Sequence, residues 1–205
     1  MANTNNHYKI TMEQVVIKEK NIFYPPGGLL IWIIIFLECL TFGMGIIAMI
    51  TYGQDNHLLY HSSCQSLHKY TAIVNTIVLL SSGYFMAECL RNIKIKKYAT
   101  AKLFLQLTIL FGCIFLGIKS ADYINKLNNG LSISYNIFFT FFWLLTFFHY
   151  LHVLLGVFIL VYFLWKFNRI ITEKSMVENI EAGAAFWHLC DLIWLLLFPV
   201  IYLIY

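Results

Sequence analysis

Glu181-Ala-Gly-Ala-Ala-Phe-Trp-His-Leu-Cys-Asp-Leu-Ile-Trp194 leads into an apolar stretch that runs from Ala182 to Tyr205. Its reading decides the fold. Asp191 is the only Asp, Glu, Lys or Arg between those two residues. A helix of this length reaches about 36 Å, enough to cross roughly 30 Å of hydrocarbon. Helical spacing places Glu181, His188 and Asp191 on one stripe of that helix. Polar groups are costly to bury in such surroundings and need a specific reason to be there.

Four more stretches have the same character: Leu29 to Tyr52, Tyr70 to Leu90, Ala101 to Lys119 and Ile137 to Phe163. Apolar residues make up 60% of the chain and charged residues 12%, with a mean hydropathy of +0.72. That balance excludes a soluble domain of this length. The expected fold is an all-α polytopic membrane protein, a bundle of five transmembrane helices over residues 29–205. A polar segment, residues 1–28, precedes it. This segment has no apolar core or small-residue cleavage site and does not read as a removed signal peptide. Pro25-Pro26-Gly27-Gly28 breaks any helix running backwards from the first span.

Lys and Arg distribution sets the expected orientation. Lys9, Lys18, Lys20, Arg91, Lys94, Lys96, Lys97, Lys102, Lys166, Arg169 and Lys174 fall on one side. Lys69, Lys119 and Lys126 fall on the other, an asymmetry of eleven to three. The N-terminus is therefore expected in the cytoplasm (or matrix) and the C-terminus outside. Cys39, Cys89, Cys113 and Cys190 lie within apolar spans and Cys64 in an outer loop, so the five cysteines form no disulfide framework. With no Cys-x-x-Cys pair, the strongest metal and redox signatures are also missing.

The ionisable residues then sort by depth. Lys119 is expected to end its span and snorkel outward, pairing with Asp122, and Glu88 to pair with Arg91 at an interface. Glu38 stands about 14 Å inside the first span and needs a donor from another helix. His149 and His152 share one face with Leu145 and Gly156, where a neighbouring backbone could approach. The simplest expectation joins these residues with His188 and Asp191 in an interhelical hydrogen-bond network. Proton handling and a zinc or iron site are competing readings, although the Glu-x-x-His pattern of di-iron bundles is missing. Outer-loop His57, His61 and His68 read as solvated, and would be arranged around a metal only if that loop were helical. The aromatic run Phe138-Phe-Thr-Phe-Phe-Trp143 reads as a surface facing lipid or a partner.

Thr146-Phe-Phe-His149-Tyr-Leu-His152-Val-Leu-Leu-Gly156 resembles the motif T-G-x-H-x-x-H-V-x-x-G of subunit III of the haem-copper oxidases. Glu181 to Trp194 is similar to that family's final helix. Phe36-Leu-Glu38-Cys-Leu-Thr-Phe-Gly43 resembles its S-E-x-x-F-F segment, and Asn75 to Gly83 its N-T-x-x-L-L-x-S-G helix. Leu37 stands where the family usually has Ser, and Asp122 where it often has Glu. The similarity runs in order from Gly28 to Tyr205. It resembles a five-span form, known among bacterial quinol oxidases and the subunit III-like accessory proteins of nitric oxide reductases. The ending Phe186 to Tyr202 looks closest to the latter.

The resemblance implies a bacterial inner-membrane subunit without a catalytic centre of its own, within an oxidoreductase complex. It would pack against catalytic subunit I, and with subunit II, supporting assembly, stability and proton uptake and limiting inactivation during turnover. Haem and copper would sit in the partner, none on this chain, with structural lipid in the cleft and no nucleic acid involved. Glu38, His149, His152, Glu181, His188 and Asp191 are the candidate site residues, with no catalytic or metal role expected. Two other functions stay open: the nitric oxide reductase accessory protein, and an independent proton-coupled transporter, for which no inverted repeat is visible.

Overall fold

The computed structural model describes residues 28–167 and 174–205, with the side chains of 174–178 left aside. The polar segment through Gly27, including Pro25-Pro26, and Arg169 lie outside the described residues. Among those described, the chain is helical and contains no strand. Its helices are α1 Leu29–Asp55, α2 His57–Gln65, α3 Lys69–Lys94, α4 Tyr98–Asn128, α5 Ile137–Trp165 and α6 Lys174–Tyr202. All but α2 contain a segment long and apolar enough to cross a membrane. The spans therefore fall where the apolar stretches place them, but α1, α3, α4 and α5 continue past their expected ends.

The connections are built from local hydrogen bonds. At the end of α3, Lys96 adopts a left-handed φ of 60°. The amides of Lys96 and Lys97 then donate to the carbonyls of Ile93 and Asn92, closing a Schellman cap. Gly130, at φ 76°, makes the same cap at the end of α4, with Leu131 donating to Lys126. Asn136 starts α5 by accepting from the Phe139 amide at 2.9 Å, while its own amide donates to Ser63 of α2 at 3.0 Å.

α3 and α4 form a tight hairpin, α6 packs against α3 and α5, and α1 leans on α6 and α5. Trp187 of α6 fills the centre. A Cβ at Gly112 of α4 would stand 2.7 Å from its ring, and one at Gly156 of α5 would stand 2.9 Å away. The close approach expected at Gly156 is thus made by an indole rather than by a backbone. α1 carries a long row of exposed apolar side chains, among them Leu30, Phe36, Met44 and Ile47.

Three expectations change. The aromatic run is not an outward surface, because Phe138, Phe139 and Phe142 are fully buried, with Phe138 edge-on to Tyr60 of α2. Lys119 does not snorkel, since α4 continues to Asn128 and leaves it 3% exposed inside the bundle. Cys64 and its neighbours form a helix, and the buried thiol donates to the Ile201 carbonyl at 3.6 Å.

Candidate functional site

Glu38 projects from α1 towards α5, where its Oε1 lies 3.2 Å from His152 Nε2. The partner that depth demands is therefore supplied by a neighbouring helix. His152 Nδ1 is 2.8 Å from the Phe148 carbonyl. A carbonyl oxygen only accepts, so Nδ1 carries the hydrogen. Nε2 then faces the carboxyl oxygen, so the polar atoms of the two side chains meet each other across α1 and α5. The pairing gives each ionisable group a polar partner among lipid-level side chains. Glu38 Oε2 is buried with no hydrogen-bond partner among the described residues.

The pair lies on the wall of an open cleft of about 720 Å³ between α1, α5 and α6. Its other walls are mostly apolar, including Ile31, Ile34, Phe158, Phe163 and Phe186, with Tyr162 and Asn179 also lining it. A second apolar groove of about 690 Å³ opens between α1 and α5 towards the other end, past Gly45, Trp143 and Leu151. Each is large enough for hydrocarbon chains.

The remaining candidates separate into distinct clusters. His149 is fully buried. It stacks on Trp194 with centroids 5.3 Å apart and meets Phe115 edge-on, and neither ring nitrogen has a partner among the described residues. His188 Nδ1 lies 3.3 Å from Asp191 Oδ2 on the same helix. That carboxylate oxygen abuts Gly83 of α3 so closely that any Cβ there would overlap it. Glu181 pairs with Lys94 of α3 at 3.1 Å. The structure thus brings Glu38 to His152 and His188 to Asp191, and leaves His149 and Glu181 apart from both.

The expected pairing of Lys119 with Asp122 forms, while Thr76, Lys126 and Tyr202 were not singled out from the sequence. Trp194 Nε1 donates to Thr76 Oγ1 at 2.9 Å, tying α6 to α3. Lys119 donates to Asp122 and to the Tyr202 hydroxyl, both at 3.3 Å, and Lys126 pairs with the same carboxylate. The i+4 spacing of Lys126 from Asp122 was the available signal for the second lysine. The aromatic rings of Phe142, Trp194 and Tyr123 lie about one ring contact from the Lys119 ammonium.

The family described as cytochrome c oxidase subunit III matches residues 65–205, more than two thirds of the chain. The chain belongs to the cytochrome c oxidase subunit III family. Among its relatives, cytochrome c oxidase subunit 3 of Schizophyllum commune is 36% identical over 131 residues, 63% of this chain and 47% of that protein. Cytochrome c oxidase subunit 3 of Corynebacterium diphtheriae is 28% identical over 189 residues, 87% of this chain and 89% of that protein. Cytochrome bo(3) ubiquinol oxidase subunit 3 of Buchnera aphidicola is 24% identical over 202 residues, 98% of this chain and 92% of that protein. Against several subunit III relatives, that of Schizophyllum commune among them, the chain spans about half their length.

Proposed function

We propose that this chain is a non-catalytic integral subunit, the third, of a haem-copper respiratory oxidase. It packs against catalytic subunit I, with subunit II in the same complex, and supports assembly, stability and proton uptake during aerobic electron transport. The location is a bacterial inner membrane, with the N-terminus cytoplasmic and the C-terminus outside. Support for that setting comes from the eleven-to-three charge asymmetry and from bacterial relatives matched over nearly their whole length.

The observation that carries the reading is the Glu38–His152 pair, bridging two helices at the wall of the cleft in a chain of this family. A carboxyl and an imidazole in contact at membrane depth suit a polar support at the edge of a proton-uptake route. Three histidines stand on the spanning helices, and they lie in separate surroundings. A catalytic subunit needs a larger convergent set to hold two haems and a copper, so haem and copper are assigned to the partner. The two grooves suit the acyl chains of structural lipids, their walls being mostly apolar.

Purification of the tagged chain in mild detergent, with optical spectra and mass spectrometry of what accompanies it, tests this reading. Haem-copper subunits with oxygen consumption are expected. A nitric oxide reductase core would move the chain to the accessory branch, and a colourless solitary protein would overturn the oxidase reading.

A further inference from the structure

The segment between α1 and α3 is helical, and this changes what its histidines can do. His57 and His61 are exposed and stand one turn apart on the same face of α2, with ring centroids 6.3 Å apart and planes within 10° of parallel. Histidines at i and i+4 present two imidazoles to one point in space, the spacing that also sets metal-binding pairs on helices. The orientation of His61 is already fixed. Its Nδ1 lies 2.5 Å from the Tyr205 carbonyl, so that nitrogen carries the hydrogen and Nε2 keeps its lone pair. Metal-ligating histidines are commonly held by such a hydrogen bond from the other ring nitrogen to a backbone carbonyl. The Gln65 amide donates to Nε2 at 2.9 Å and is the side chain a metal there would displace.

The geometry points to a divalent transition-metal site at this end of the bundle, in which His57 and His61 chelate one borderline ion such as Zn²⁺ or Cu²⁺. Imidazole nitrogen suits these ions, and bonds of about 2.0–2.1 Å require the two nitrogens to close to roughly 3 Å. A rotation of the exposed His57 ring supplies that movement. No third histidine, cysteine or carboxylate joins the pair among the described residues, so water completes the coordination and the site is open. A bound ion would cross-link one turn of α2 and, through His61, fasten Tyr205 to it. His57 also meets the Tyr205 ring edge-on, at 5.8 Å between centroids.

The test is metal titration of the full chain in detergent micelles, using Zn²⁺ for calorimetry and Cu²⁺ for electron paramagnetic resonance. One ion per chain should show hyperfine coupling to two imidazole nitrogens. His57→Ala and His61→Ala should each weaken binding at least tenfold, Gln65→Ala should tighten it, and His68→Ala should leave it unchanged. Equal affinity in the His57→Ala/His61→Ala double variant would overturn the site. So would a copper spectrum of the unmodified chain without two nitrogen ligands, a readout that needs no variant to fold.

Discussion

Glu38 of α1 and His152 of α5 meet at 3.2 Å, and the hydrogen bond from His152 Nδ1 to the Phe148 carbonyl turns Nε2 towards the carboxyl group. Glu38→Gln should therefore be tolerated, because its amide can donate to the same Nε2. Glu38→Leu leaves that nitrogen unpaired and should cost about 1–3 kcal/mol, the usual penalty for an orphaned buried group. Thermal unfolding of the two variants in the same detergent checks the contrast. Equal midpoints would mean that the pair does not hold α1 to α5.

Asp122 is the shared counter-charge of two buried lysines, Lys119 and Lys126. Replacing it with Asn should destabilise the bundle by about 3–5 kcal/mol, because removing one partner strands the other charges. Lys119→Met in the same background should restore part of the loss. A double-mutant cycle on the melting free energies measures the coupling.

Lys96 occupies a left-handed position that glycine fills at the equivalent cap of α4, Gly130. A side chain there carries a steric cost of roughly 1–2 kcal/mol, so Lys96→Gly should stabilise the α3–α4 hairpin by about 1 kcal/mol. A lower melting point for this variant would contradict the cap.

Cys64 is buried on α2 outside the spanning helices, and burial raises its thiol above the ordinary range, with Lys69 opposing in part. Only the thiolate attacks a maleimide. Labelling of Cys64 by a water-soluble maleimide should therefore be slow at pH 7, quicken as the pH rises, and become complete after denaturation. Mass spectrometry of the labelled peptide reads this directly, and fast labelling of the folded chain at pH 7 would refute it.

The spans were legible because each needs about 20 apolar residues, and each stretch supplies them. What faced inward was harder to see. In lipid, both the outer and the packed faces of a helix are apolar, so Phe138, Phe139 and Phe142 carry no pattern that marks them as core. Lys119 was misplaced because nothing after it stops α4 until Gly130. Glu38 was legible as a residue needing a partner from another helix, whereas the choice of His152 over His149 depends on how α1 leans against α5. Helicity of the α1–α3 connection was the condition for a histidine cluster, and His57 and His61 meet it while His68 caps the next helix.

The central claim is that this chain supports an oxidase without performing its chemistry, and depleting it from the purified complex tests that most directly. Oxygen consumption would be followed from the first turnovers onward, with haem spectra recorded in parallel. The account predicts an initial rate close to that of the intact complex and a faster decay of activity during sustained turnover. Loss of the first turnover with the haem spectrum unchanged would contradict it.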